Sequence, residues 1–397
     1  MSPEPRATLA AADWPKREGL RSLTEALGAE NIRWVGGAVR DTLLNMAVSD
    51  VDCATKLTPD AVIERCGEAG IRTAPTGIDH GTVTAILDDG PVEVTTLRHD
   101  VSTDGRRATI AFAQDWQEDA ARRDFTINAL FAHPETLEIS DYFGGLDDLA
   151  ARRVRFIGDA HARIREDHLR ILRYYRFQAR FGAELDAVAE QACEELADTL
   201  KGLSRERVSG ELLSILALPD PHPTIHRMRE KGVLGVILPE ACKTYVEALR
   251  ALIAAESAQG FSGDPLRRLA ALLPPVREVA ETVSARLRLS KAQRARLVCA
   301  AERVSEDHSD IYSLAYREGA EGAIDRLLLL GADATGLKGW ERPIFPLKGG
   351  AIVARGVAAG PEVARILQGV ERQWVAEGFP NEARVQALLD EALSSQP

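Results

Sequence analysis

The sequence predicts an α+β protein, with a mixed sheet confined to residues 1–145 and helices through the rest of the chain. Three observations predict it. A short apolar run, Ile32 to Val35, breaks at Gly36-Gly37, and after a helical segment a second strand carries Asp50 and Asp52. Thr82 to Leu87 and Val92 to Leu97 are β-rich runs joined by the hairpin signal Asp88-Asp89-Gly90. From Ala183 onward the apolar residues recur at helical spacing.

Each element has a local reason. Leu20, Leu23 and Leu27 place one amphipathic helix before the first strand. The segment from Ala38 to about Met46 is helical, and Asn45 suits the left-handed turn that would end it. Thr58-Pro59-Asp60 opens a helix with Thr at the N-cap and Pro in the first turn, ending near Gly67 or Gly70. Arg98 to Asp115, with Gly105, reads as a long polar loop, a kind of segment that is often functional. His99-Asp100 within it has no companion histidines at metal-ligand spacing. Glu118 to Phe131 holds an Arg-Arg pair on a helix, then Asp124, Thr126 and Asn128 among apolar neighbours, polar groups that need partners or a ligand. Arg163 to Arg180 reads as one packed helix with Asp167, Arg170, Arg173 and Arg176 forming a polar ridge. Ser204 is a natural N-cap, Gly331 to Gly350 a connection, and Pro361 to Ala376 a final helix.

Composition narrows the function classes. A chain of 397 residues, 45% hydrophobic, buries a large core in two or more domains. No apolar run approaches membrane-spanning length, and MSPEPRATLA shows no signal-peptide core. The five cysteines are scattered without a CxxC pair, which argues against zinc and disulfides and fits a reducing cytoplasm. The net charge of −11 argues against a broad electrostatic grip on nucleic acid. Arginines nevertheless crowd residues 152–180 and 286–296, where Arg286, Arg288, Lys291, Arg294 and Arg296 make either a patch for an RNA backbone or an ordinary exposed basic face. A monomer is expected, though nothing in the sequence sets the oligomeric state.

Two constellations carry chemistry. Carboxylates at i and i+2 on a strand project to one face, and like charges held that close repel unless a cation lies between them. Oxygen-only ligands suit Mg²⁺ completed by substrate phosphates, so Asp50 and Asp52 are the candidate metal pair. The Gly36-Gly37 turn beside them suits an anion at a helix start. Glu93 is either an outward-facing residue of a half-buried strand or a third carboxylate that binds metal or accepts a proton. The second constellation is Asp167 with Arg170, an acceptor beside a rigid donor fork. Cytosine and adenine each present an amino donor next to a ring acceptor; uracil and guanine reverse that order. An Asp–Arg pair therefore matches CTP and ATP and leaves UTP and GTP facing unmatched groups, which a hydrogen-bonding site rejects strongly.

Gly36, Gly37, Arg40, Asp41, Asp50 and Asp52, the run RRDFTINA at 122–129, Asp141 with Gly144-Gly145, and Glu166, Asp167, Arg170, Arg173, Arg176 and Phe177 occur in the order found in one family. They resemble the class II tRNA nucleotidyltransferases (CCA-adding enzymes) and bacterial poly(A) polymerases. The resemblance is dense over residues 32–210 and implies a polymerase β-like nucleotidyltransferase head, residues 1–145, a nucleotide-selecting helical neck, 146–215, and a helical tRNA-binding body and tail, 216–397. It implies addition of CMP and AMP to a tRNA 3′ end with Asp50, Asp52 and Glu93 catalytic. Arg123 would contact the nucleotide's phosphate or sugar, Asp124 and Asn128 its ribose, and Arg173 and Arg176 would lie nearer phosphates or brace the base-reading pair. It also implies a mobile loop at residues 98–115 that assists the last addition. Poly(A) synthesis, partial CC or A addition, and a catalytically inert RNA-binding relative are the alternatives.

Overall fold

The computed structural model describes residues 8–9, 12–48, 50–103, 108–113, 115–182 and 185–394; Gly105, Arg106 and Arg107, singled out above as part of a functional loop, lie outside them. These residues form two compact units. One comprises residues up to 211 with 227–237, the other 212–226 with 238 onward.

The first unit is built on a sheet. Helix α1 (Glu18–Leu27) buries Leu20, Leu23 and Leu27 as its spacing requires. Strand β1 (Ile32–Val35) leads through Gly36 into α2 (Gly37–Leu43), and β2 (Val51–Thr55) returns antiparallel beside β1. Gly36 has φ 68°, a left-handed conformation open to glycine, and Asn45 at φ 55° ends the helical segment as its residue type suggests. Helix α3 (Pro59–Glu68) is capped by the Thr58 hydroxyl, which accepts from the Ala61 N–H. Strands β3 (Arg72–Gly77), β4 (Thr82–Leu87) and β5 (Gly90–Thr96) follow, and β5 lies parallel to β2 after this long crossover. That register sets Asp52 directly beside Glu93.

Next come β6 (Arg98–Thr103) and β7 (Ala108–Phe112), then α4 (Trp116–Ala121), β8 (Leu130–Ala132), β9 (Ile139–Asp141) and α5 (Gly145–Ala150). The sheet order is β3-β4-β5-β2-β1-β8-β9, with every neighbouring pair but β2/β5 antiparallel, so the sheet is mixed as expected. The Asp141 carboxylate accepts from the N–H groups of Phe143, Gly145 and Leu146, closing the turn into α5. Gly145 cannot be replaced there: a Cβ would lie 2.3 Å from the Thr126 carbonyl oxygen.

Helices α6 (Ala160–Glu166), α7 (Arg170–Phe181), α8 (Ala187–Glu195) and α9 (Arg205–Leu216) follow. The remaining helices are α10 (His222–Glu230), α11 (Val233–Ile237), α12 (Lys243–Ala258), α13 (Pro265–Ala271), α14 (Arg277–Arg286) and α15 (Lys291–Ala301). After them come α16 (Ile311–Glu318), α17 (Ala320–Leu329), α18 (Gly349–Val353), α19 (Pro361–Ala376) and α20 (Glu382–Ser394). In the second unit Trp374 and Val370 of α19 pack with Leu388 and Leu389 of α20 and with Tyr316, so α19 is not the last helix.

Four further expectations are corrected. Residues 98–103 and 108–112 are paired strands rather than a loop: β6 and β7 pair antiparallel from Arg98↔Phe112 to Thr103↔Ala108. The Arg122-Arg123 pair follows α4 instead of riding on it, because the chain turns through a 3₁₀ segment at Thr126–Asn128 to reach β8. Residues 163–180 form two helices, since Asp167 is extended (φ −148°, ψ 104°) and ends α6 before α7 restarts. Finally, Asp50 precedes β2, so only Asp52 is held by the strand.

Candidate active site

A cleft of about 520 Å³ opens in the first unit. Gly36, Gly37, Arg40, Asp52, Arg123, Asp124, Asn128, Asp167, Arg170 and Arg173 line it, together with Arg98, Arg122 and Phe177. Asp50, Glu93 and Arg176 are not among its walls. Asp52 and the Asp167–Arg170 pair thus share one cavity.

At the carboxylate end, Asp52 is half-buried. Burial, the neighbouring charge of Glu93 and that of Asp50 push its pKa up, against a lowering contribution from Arg123. Glu93 is exposed between buried Val92 and Val94, on the face that Asp52 also uses. A Cβ on Gly36 would lie 3.7 Å from Asp52 Oδ2 and 3.6 Å from Arg123 Nη1, so the turn, the acid and the guanidinium converge. Among the described residues no three His, Cys, Asp or Glu side chains form a closed metal-holding set. The donor set nevertheless fits a divalent cation: a hard, oxygen-only group of acids whose mutual repulsion a cation relieves, leaving positions for substrate oxygens.

The floor of the cleft is a hydrogen-bonded chain. Arg40 donates from Nε to Asp41 (2.8 Å) and from Nη1 to Asn128 Oδ1 (2.6 Å). Asn128 Nδ2 donates to Asp124 Oδ1 (3.0 Å), and Arg173 donates to Asp124 Oδ2 (2.7 Å from Nε). Burial opposes the charge on Asp124, yet Arg173, Asn128 and the Phe125 N–H outweigh it and hold its pKa below the usual range. The guanidinium groups of Arg40, Arg173 and Arg176 lie over the Phe177 ring at 5.1, 5.4 and 4.7 Å. Phe177 is therefore a platform that spaces three cations without neutralising them.

One wall is cationic. Asp119, 1% exposed, accepts from Arg122 (2.8 Å) and Arg123 (3.1 Å) and from the Arg98 backbone N–H (3.4 Å). Burial and the neighbouring cations Arg98 and Arg123 pull Arg122 down to about 10 despite Asp119. One acid holds three arginines. Asp119 was missed in the sequence, although it stands four residues before Arg123, the spacing of a helical ion pair.

Between α6 and α7, Asp167 Oδ1 accepts from the Leu169 N–H (3.1 Å) and Oδ2 from Arg207 (2.7 Å). Arg170 donates to Glu166 (2.7 Å) and to the carbonyls of Arg163 (3.0 Å) and Arg122 (2.9 Å). Arg176 donates to Glu211 on α9 (2.6 Å). It is a brace away from the cleft. Outside the cleft, Arg286 is paired with Glu240 (2.6 Å) and Arg296 with Asp325 (2.6 Å), so those two do not join a free basic patch.

Known proteins resemble this chain in sequence and fold. The family model described as "Poly A polymerase head domain" covers residues 32–155, and "Probable RNA and SrmB- binding site of polymerase A" covers 182–244. The mitochondrial CCA tRNA nucleotidyltransferase 1 of Mus musculus is 37% identical over 383 residues, 91% of this chain and 87% of that protein. Its Homo sapiens counterpart is 36% identical over 386 residues, 92% and 88% of the two chains. The solved CCA-adding enzyme of Bacillus stearothermophilus in complex with CTP superposes with a TM-score of 0.76 at 25% identity, covering 95% of this chain and 98% of that one. By likeness that runs through almost its whole length, the chain belongs to the CCA tRNA nucleotidyltransferase family.

Proposed function

We propose that this protein adds CMP and AMP to the 3′ end of tRNA, taking them from CTP and ATP and releasing pyrophosphate. The observation that carries the reading is the shared cleft of about 520 Å³, lined both by Asp52 and by Asp167 and Arg170. The full-length likeness to CCA tRNA nucleotidyltransferases supports it.

Asp50 and Asp52, with Glu93 beside them, would hold Mg²⁺, which supplies Lewis acidity at the reacting phosphoryl group. Glu93, exposed and directly beside Asp52 across the strand pair, would take the proton of an attacking hydroxyl. Gly36 and Gly37 let the nucleotide's phosphates approach the backbone, and Arg123, with Arg122 and Arg98 on the same wall, meets their charge. Asp124 and Asn128 fix the ribose from a network already locked by Arg40 and Arg173. Asp167 accepts the amino group of cytosine or adenine, and Arg170 donates to the ring nitrogen beside it. Selection then needs no nucleic-acid template.

In functional terms residues 1–145 are the head, 146–215 the neck that selects the nucleotide, and 216–397 the tRNA-binding body and tail. We place the protein in the cytoplasm, a reading supported by five cysteines that are all free. No helix among the described residues is long and apolar enough to cross a membrane. The animal relatives are named as mitochondrial, and cell fractionation separates the two compartments.

The test is incubation with tRNA lacking its terminal CCA, one labelled nucleotide at a time and then together, with sizing of the products. Growth by CCA and arrest there is the expected result. Long A-tails would make the protein a poly(A) polymerase, a stop after CC or addition of A alone a partial enzyme, and no growth an inert relative.

A further inference from the structure

We infer that Arg207 is a specificity-determining positioning residue: from α9 it fixes the carboxylate of Asp167 in the direction that reads the incoming base. The inference rests on the proposed role of Asp167 and Arg170 and extends it to a residue outside the cleft.

Asp167 sits where the chain is extended between α6 and α7, so no helix holds its side chain. Its partners do. The Leu169 N–H donates to Oδ1 (3.1 Å) and Arg207 Nη2 donates to Oδ2 (2.7 Å). Each carboxylate oxygen accepts more than one hydrogen bond, so the amino group of a base can bind without displacing Arg207. Arg170 is fixed independently by Glu166 and two backbone carbonyls. The acceptor half of the pair thus has one local backbone donor and, as its one side-chain donor here, a distant guanidinium.

Arg207 is itself positioned. It lies in the first turn of α9, where its N–H donates to the Ser204 hydroxyl (3.4 Å). Glu211, four residues on, accepts from Arg176 of α7 (2.6 Å). Residues at i and i+4 share a helix face. One face of α9 therefore grips the break at Asp167 with Arg207 and the body of α7 with Glu211. The Arg207–Asp167 pair is partly exposed, 44% and 29%, so its worth lies in geometry more than in stability.

The experiment compares kcat/KM for CTP, UTP, ATP and GTP on matched tRNA primers in the wild type, Arg207→Met, Arg207→Lys and Asp167→Ala, with thermal melting of each. Displacing a recognition group by about an ångström costs on the order of a hundredfold, so Arg207→Met is expected to lower CTP-over-UTP discrimination by about tenfold or more. Arg207→Lys, keeping the charge, should restore part of it. An equal loss for all four nucleotides in Arg207→Met would mark a merely structural prop and overturn the inference. So would wild-type discrimination in Arg207→Met beside relaxed discrimination in Asp167→Ala, and base reading by Asp167 would then stand. Unchanged discrimination in Asp167→Ala would overturn the base-reading role itself.

Discussion

Both units bury charge, and they do it in opposite ways. In the helical unit, Arg267 donates to Asp325 (2.7 Å) and Glu256 (2.8 Å), and Arg268 donates to Glu256 (2.9 Å). Arg268 also donates to the carbonyls of Leu216 (2.7 Å) and Leu218 (2.5 Å), while Arg296 closes on Asp325, Asp264 and Glu321. Every charge there meets its opposite inside the network. The cleft is left open: Arg40, Arg98, Arg122, Arg123, Arg170 and Arg173 line it against Asp52, Asp124 and Asp167. Asp41, Asp119 and Glu166 hold Arg40, Arg122, Arg123 and Arg170 from behind the walls, and the least compensated charge is that of Asp52, which faces two other acids. Burial of charge does not mark a site. Incomplete compensation does, because a ligand supplies the missing partner.

The comparison breaks first at Asp52. Asp52→Ala should cut incorporation of both CMP and AMP by roughly ten-thousandfold, about 5 kcal/mol of transition-state stabilisation, as loss of a central catalytic group does. Its melting temperature should not fall, since burial and the repulsion of Glu93 and Asp50 outweigh the attraction of Arg123 that is lost with it. Primer extension and thermal melting of one preparation check both. Incorporation at the wild-type rate would remove Asp52 from the chemistry.

The closed network makes the converse prediction. Arg268→Ala leaves Glu256 with Arg267 alone and strips donors from the carbonyls of Leu216 and Leu218. Removing one partner of a buried ion pair costs about 3–5 kcal/mol. Urea titration should show that loss while the folded fraction binds CTP as the wild type does. A variant that keeps its stability would show the network to be incidental; one that folds but fails to bind CTP would erase the distinction between the two regions.

Much of this was legible in the sequence where the signal was local. The strands around Gly36 and Asp52, the hairpin at Asp88-Asp89, the Thr58 cap and the leucines of α1 follow from neighbouring residues alone. Strand β3 was not legible: it is an edge strand with Pro75 in it and no alternation of burial. The break between α6 and α7 was hidden too, because residues 163–180 are good helix formers without Gly or Pro. Its causes are remote. Arg207 lies 40 residues from Asp167, and the Arg122 carbonyl 48 from Arg170. The basic run at 286–296 stayed open between two readings for the same reason, since Glu240 and Asp325 stand 46 and 29 residues from the arginines they neutralise. Of the ridge on α7, Arg173 faces the cleft and Arg176 turns to Glu211, a division that a three-residue repeat does not disclose.

The smallest effect sharpens the contrast most. The pKa of Asp52 is raised in the fold, so the folded chain holds a proton that the unfolded chain releases. Its contribution favours the fold only at acid pH and is lost as pH rises through the folded-state value; at neutral pH the ionised group opposes folding. Asp119, Asp124 and Asp148 have lowered pKa values and behave in the opposite sense, stabilising above the ordinary carboxylate range and losing that contribution as pH falls through their folded-state values. Asp52→Asn should therefore raise the melting temperature by a few degrees at neutral pH, with the gain shrinking as the pH is lowered and the wild-type acid becomes protonated. Mg²⁺ should stabilise the wild type more than the variant, because a cation offsets the same repulsion that the amide removes. A gain that persists unchanged into acid, or Mg²⁺ acting equally on both, would mean that Asp52 is as well compensated as Asp119, Asp124 and Asp148.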